Sequence, residues 1–204
     1  TEKLDYLKEL GVDYIWLTPI YQSPQNDNGY DVSDYYRIDP SYGTMEEFEE
    51  LLEEAKARNM EIMLDIVVNH SSTEHKWFKE AKEDKNSPYR NYYIWRDEKN
   101  NWQSKFGGSA WKYDEKTEQY FLHLFDETQA DLNWENERLR EEVYDMMRFW
   151  LDKGVKGFRL DVINLISKDQ RFLSDEGSTA TSDGRKYYTD GPRVHEYLQE
   201  MNRN

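Results

Sequence analysis

The sequence predicts an α/β fold built on a parallel sheet, and two observations carry that prediction. Three times an amphipathic helical stripe ends at a short break and gives way to a mostly apolar run of about six residues. Nearly continuous apolar strands that alternate with helices belong to parallel sheets covered on both faces and joined by right-handed crossovers.

In the first unit Leu4, Leu7 and Leu10 form a stripe closed by Gly11, and Tyr14 to Thr18 reads as a strand ended by Pro19. In the second, Thr44 and Glu47 have capping-box spacing, Phe48, Leu51, Leu52 and Ala55 recur at helical intervals, and Glu61 to Val67 is the strand. In the third, Leu139, Val143, Met146, Met147 and Trp150 share a helix face, Gly154 closes it, and Gly157 to Val162 is the strand. A last helix is expected from Pro192. Residues 71 to 135 show no long helical stripe yet hold five of the seven tryptophans, at 77, 95, 102, 111 and 134. We expect an inserted subdomain there, dividing the chain into 1–70, 71–135 and 136–204. Aromatic faces suit stacking on sugar rings, but for most of these residues a place in the core of the insertion is the stronger reading.

Composition narrows the partners. With 42 acidic against 27 basic side chains the formal charge is -15, which repels a phosphate backbone and argues against nucleic acid. No apolar run reaches the roughly 18 residues of a membrane span, and no basic amphipathic stretch suits a membrane surface. The absence of cysteine excludes disulfides and thiolate metal sites and fits a cytoplasmic location. Three or four βα units do not close a barrel, and the chain opens inside a helix and ends on one. We therefore expect a piece of a larger protein, truncated at both ends.

In α/β barrels the chemistry sits at the carboxyl ends of strands. Those ends carry Gln25 to Asp31 after the first strand, Asn69 and His70 after the second, and Arg159 and Asp161 within the third. Strand alternation puts Arg159 and Asp161 on one face. A neighbouring guanidinium favours the ionised carboxylate, the form that attacks an anomeric carbon. Spacing alone supports equally an Arg–Asp pair that merely joins strands. His70 alone reads better as a satisfied core histidine, and Asp27 and Tyr30 as turn residues.

Together these segments resemble the α-amylase family of glycoside hydrolases. Asp65-Ile66-Val67-Val68-Asn69-His70 and Gly157-Phe158-Arg159-Leu160-Asp161 are similar to its two best-known signature strands. Gln129-Ala130-Asp131-Leu132-Asn133 is similar to its short motif near the end of the inserted domain, and Asp27-Asn28-Gly29-Tyr30 to its glucose-holding loop. The resemblance implies a partial TIM (β/α)8 barrel, strands two to four with flanking helices, and a subdomain inserted after strand three. It implies Asp161 as catalytic nucleophile and Arg159 as its orienting partner. Asp27, Tyr30 and His70 would hold the glucose, with Phe106, Phe125 and Gln129 lining the pocket from the inserted side. The family's acid and its His-Asp pair follow later strands, so these 204 residues alone are expected to show no hydrolysis.

Finer features point within the family. Asp183 to Leu198 resembles the matching stretch of members that hydrolyse trehalose 6-phosphate, with oligo-1,6-glucosidases the next choice. Arg185 and Lys186, with Arg193 nearby, could hold a phosphate, although solvated surface charge is the commoner role. Val162 could narrow the neighbouring subsite or simply favour a strand. The polar run Ser174 to Ser182 reads as a loose rim or a tolerated surface insertion. No cofactor and no catalytic metal are expected, and some family members bind structural calcium through the positions of Asn69 and Asp131. The partner is expected to be a small disaccharide or oligosaccharide. A non-catalytic sugar-binding protein on the same barrel is the reading of another class. A nucleotide binder is disfavoured, since no strand runs into a Gly-x-Gly-x-x-Gly turn.

Overall fold

A computed structural model describes residues 1–177 and 182–204 of the chain. Its centre is a three-stranded parallel sheet, β1 (Tyr14–Leu17), β4 (Glu61–Ile66) and β10 (Gly157–Leu160), in the order β1-β4-β10. Tyr14 pairs with Glu61 on one side of β4 and Arg159 with Asp65 on the other. Helix α1 (Leu4–Glu9) leads into β1, α2 (Met45–Ala57) connects β1 to β4, α4 (Glu137–Asp152) connects β4 to β10, and α5 (Val194–Arg203) comes last. The helices start where the sequence places caps. Thr44 and Glu47 form the reciprocal capping box of α2, and Asn136 accepts from the Leu139 N–H at the head of α4. Gly154, at φ 112°, supplies the left-handed residue that ends α4, and Val155 N–H returns to Trp150 O at 3.2 Å.

Three expectations change in detail. Each parallel strand ends a residue or two earlier than read, so Asp161 lies just past β10 rather than within it, its N–H still donating to Ile66 O at 2.9 Å. Only β4 is well buried: Tyr14 and Trp16 are 56% and 47% exposed and β10 is half-buried throughout, because β1 and β10 each have one partner strand. As so few βα units require, the three-stranded sheet is not a closed barrel. The last helix starts two residues later than expected.

The intervening segments are antiparallel. A small ladder joins β2 (Tyr21–Gln22) to β3 (Asp34–Ile38), and β5 (His70–Ser72) pairs with β9 (Gln129–Asp131). Between β5 and β9 come the eight-residue helix α3 (Lys76–Glu83) and a sheet of β6 (Trp95–Arg96), β8 (Gln119–Leu122) and β7 (Trp111–Asp114), in the order β6-β8-β7. Of the five tryptophans here, all but Trp95 are buried. Trp77 and Trp134 join the cluster that covers the parallel sheet. Trp102 and Trp111 instead pack with Phe172 and Tyr188, far along the chain. These rings are core, and that core is shared with residues well outside 71–135. No helix among the described residues is long and apolar enough to cross a membrane.

Where the chain leaves β4, its carbonyls need new partners, since buried backbone acceptors are rarely left unpaired. Side chains supply them. Tyr21 Oη donates to Asp65 O at 2.7 Å, Tyr35 Oη to Val67 O at 2.8 Å, and Trp134 Nε1 to Val68 O at 2.8 Å. Val67, Val68 and Asn69 are fully buried as a result, and the turn that aims His70 is fixed from three directions.

Candidate active site

Two ionic clusters meet at the carboxyl end of the sheet. In the first, Arg159 Nη1 donates to both carboxylate oxygens of Asp65, at 3.1 and 2.9 Å, and to Asp161 Oδ1 at 2.6 Å. Tyr30 Oη donates to Asp65 Oδ2 at 3.1 Å. The Asp65 side chain is fully buried, that of Asp161 is 12% exposed, and Arg159 is 41% exposed beside the ring of Trp16. Burial pushes the Asp65 carboxyl up from the usual carboxylate range, and the Arg159 guanidinium opposes that shift. Burial also works against the Arg159 charge, but Asp65 and Asp161 outweigh it and hold the guanidinium above its ordinary value. Asp161 Oδ2 makes no hydrogen bond among the described residues. One carboxylate oxygen is therefore gripped and the other is available.

Asp65 was given no role by the sequence reading, though a charged residue inside the apolar run Glu61 to Val68 was the available signal. Asp31 was missed too. Fully buried, its carboxylate accepts from Asn26 N–H at 2.9 Å, Asp27 N–H at 3.1 Å and Ser23 Oγ at 2.9 Å. These bonds wind the loop so that Asn28 and Gly29 take φ values of 50° and 91°. A Cβ at Gly29 would lie 3.0 Å from Pro19 O, so the loop presses on the end of β1. The loop delivers Asp27 to Gln129 Nε2 at 2.9 Å and Tyr30 to Asp65.

His70 lies between the clusters. Its Nδ1 is 3.1 Å from Asn69 Nδ2, and its Nε2 is 3.1 Å from Tyr30 O and 3.2 Å from Gln129 Nε2. Burial holds its pKa below the ordinary value, with Asp131 and Asp161 opposing. The Phe125 ring lies 5.1 Å from that of His70, and the exposed Phe106 ring lies 5.7 Å from Phe125. The structure thus brings Asp27, Tyr30, His70, Gln129, Phe125 and Phe106 into one chain of contacts.

The second cluster is closed. Lys168 Nζ is 3.1 Å from Asn69 Oδ1, 3.0 Å from Asp131 Oδ2 and 2.8 Å from Leu165 O, and all three side chains are buried. Burial lowers the Lys168 pKa and Asp131 opposes this. Asn69 and Asp131 do not fit a calcium ion, because an ammonium already takes the oxygens that would ligate it. Among the described residues no group of three or more His, Cys, Asp or Glu is placed to hold a metal. Lys168 gave no signal in the sequence, where a lysine in a loop reads as solvated.

The remaining residues stand apart. Arg185 is bidentate to Asp183, Lys186 pairs with Asp175 at 2.6 Å, and Arg193 pairs with Glu135 and Glu196. Val162, directly after Asp161, is left-handed at φ 40°, a strained conformation for a β-branched residue. Of the run Ser174 to Ser182, residues 178–181 lie outside the described residues. Asp175 is tied down, its N–H donating to Asn101 Oδ1 at 2.7 Å. A cleft of about 410 Å³ lined by Arg90, Tyr93, Trp95 and Phe172, and one of about 510 Å³ lined by Leu17, Ile20, Phe48 and Leu51, both lie away from Asp161.

The family described as Alpha amylase, catalytic domain, matches residues 1–204. The chain belongs to the α-amylase family. As an α-amylase-family chain it is 64% identical over 207 residues to the trehalose-6-phosphate hydrolase of Bacillus subtilis (strain 168), covering 98% of this chain and 36% of that protein. It is 57% identical over 208 residues to the oligo-1,6-glucosidase of Parageobacillus thermoglucosidasius, covering 98% and 37%. Among solved structures, the trehalose-6-phosphate hydrolase of Bacillus licheniformis superposes with a TM-score of 0.95 at 65% identity, covering 99% of this chain and 37% of that one. This α-amylase-family chain therefore spans a little over a third of the length of the curated relatives it matches.

Proposed function

We propose that the chain carries the nucleophile side of a retaining α-glucosidase acting on trehalose 6-phosphate, releasing glucose and glucose 6-phosphate. The observation that carries this is Asp161, held through Oδ1 by Arg159 at 2.6 Å with Oδ2 unengaged among the described residues. In the proposed reaction Oδ2 attacks the anomeric carbon and the glycosidic bond breaks. A second carboxyl group protonates the departing oxygen, and water then hydrolyses the glycosyl–aspartate ester with that second group as base. Such a pair stands roughly 5 to 5.5 Å apart. The neighbouring Asp65 cannot be that acid, being fully buried and fixed to Arg159. The acid must come from another segment, so the 204 residues by themselves should not turn over an aryl α-glucoside.

We read β1, β4 and β10 as strands two to four of a (β/α)8 barrel, with 1–70 and 136–204 as barrel and 71–135 as the insertion. Arg159 orients the nucleophile. Asp27, Tyr30 and His70 hold the non-reducing glucose, and Phe106, Phe125 and Gln129 line its pocket. Arg185 and Lys186 were the candidates for the phosphate. The chemistry uses carboxylates and needs no cofactor, and the cysteine-free sequence supports a cytoplasmic location.

One observation favours a second reading, an oligo-1,6-glucosidase: Arg185, Lys186 and Arg193 are all already paired with carboxylates, which leaves no spare charge there for a phosphate. The deciding experiment compares kcat/KM for trehalose 6-phosphate and isomaltose in the full-length protein. A clear preference for trehalose 6-phosphate supports the first reading, and a preference for isomaltose replaces it with the second.

A further inference from the structure

The phosphate reading needs a cation, and most of those around the site are engaged. Arg159, Lys168, Arg171, Arg185, Lys186 and Arg193 each lie within ion-pair distance of a carboxylate. Lys105 has no such partner among the described residues; its ammonium lies 5.0 Å over the ring of Tyr188. Burial disfavours its charge, Arg185 adds to that, and the Asp183 carboxylate offsets part of it. An arriving anion would favour the charged ammonium against both burial and Arg185.

The backbone around Lys105 is firmly placed. Ser104 N–H donates to Gly108 O at 2.9 Å, Gly107 N–H to Ser104 O at 3.0 Å, and Phe106 N–H to Ser104 Oγ at 3.0 Å. The turn is fastened to the segment beside His70, since Lys105 N–H donates to Leu124 O at 2.7 Å and Ser104 Oγ to Phe125 O at 2.6 Å. Leu124 N–H is itself held by Asp131 Oδ1 at 2.8 Å. An unpaired cation thus sits one residue from Phe106, on a turn bonded to the residue whose ring touches His70.

We propose that Lys105 recognises the phosphate monoester of a phosphorylated leaving sugar. This rests on the reading of the chain as part of an α-glucosidase for a phosphorylated disaccharide, and it moves the phosphate contact from the paired Arg185 and Lys186 to a residue with charge to offer. Asp183, bidentate to Arg185, keeps that guanidinium engaged while Lys105 meets the anion. In a protein of formal charge -15 such a local cationic spot favours the approach of a dianion.

The test uses the full-length protein and its Lys105→Met and Lys105→Arg variants, with trehalose 6-phosphate and p-nitrophenyl α-glucoside as substrates. In Lys105→Met the ratio of the two kcat/KM values should fall at least about tenfold, through KM for the phosphorylated sugar, as loss of a charge-assisted contact requires. Lys105→Arg should recover most of it. Inorganic phosphate should inhibit aryl glucoside hydrolysis less in Lys105→Met than in the parent. If the parent prefers trehalose 6-phosphate to isomaltose and the ratio stays put in Lys105→Met, the Lys105 assignment is wrong and the substrate reading stands. If the parent shows no such preference, the substrate reading fails and takes this assignment with it.

Discussion

The two ionic clusters flanking His70 use the same ingredients to opposite ends. Arg159 binds two carboxylates yet stays 41% exposed, and one oxygen of Asp161 has no partner among the described residues. Lys168 binds Asp131 and Asn69 with 1% of its side chain exposed, and the oxygens it grips face no solvent. A cation among carboxylates becomes a reaction site when its coordination is left incomplete at a surface, and a structural fastening when it is completed in the interior. Substitutions should therefore split cleanly: the open cluster should govern rate and the closed one stability.

The largest effect expected is on rate. Asp161→Asn in the full-length protein should lower kcat for an aryl α-glucoside at least about a thousandfold while shifting the urea midpoint little. A variant that unfolds instead, with turnover per folded molecule intact, would place Asp161 among the structural residues. Next, Lys168→Met leaves the Asp131 carboxylate buried and unpaired, which should destabilise the fold by about 3–5 kcal/mol in equilibrium denaturation. Retention of full stability would show that the second cluster contributes nothing. Asp65→Asn sits between the two, since Asp65 is buried but belongs to the open cluster. It should lower kcat on the order of tenfold to a hundredfold by loosening Arg159, and cost about 1–3 kcal/mol of stability.

The pH axis sharpens the contrast through His70. Its folded pKa lies below the ordinary 6.5, so the unfolded chain takes up a proton first as pH falls. The associated stability is complete above 6.5 and is lost as pH drops from there through the folded pKa. In His70→Gln that part of the acid decline should vanish from urea midpoints measured between about pH 7 and pH 4.5. The smallest effect belongs to Arg185→Ala combined with Lys186→Ala. Since both cations are already paired, KM for trehalose 6-phosphate should rise only about two- to threefold, with that for an aryl glucoside unchanged.

The sheet was legible because its helices announce themselves: the Thr44–Glu47 box, the stripe ending at Trp150 and the glycine at 154 are local signals. The segment between β5 and β9 was not, since its strands run four residues or fewer and its rings pack against Phe172 and Tyr188, a long-range fact no window contains. Within the site, Arg159 and Asp161 could be paired on paper because strand geometry relates them. Asp65 reaches Arg159 only across strands, and Lys168 reaches Asp131 only through the fold. Asp31 is the exception: its partners Ser23, Asn26 and Asp27 are all within eight residues, but a carboxylate in a turn-forming run reads as a solvated turn residue.

Val162 leads somewhere else. Bent into a backbone geometry that glycine or asparagine tolerates far better, it directly follows Asp161, the nucleophile proposed above. A laboratory search for heat resistance alone should settle on position 162 early and relax it. The molecules it returns would survive longer at temperature and work more slowly, because the kink that aims Asp161 would have gone slack.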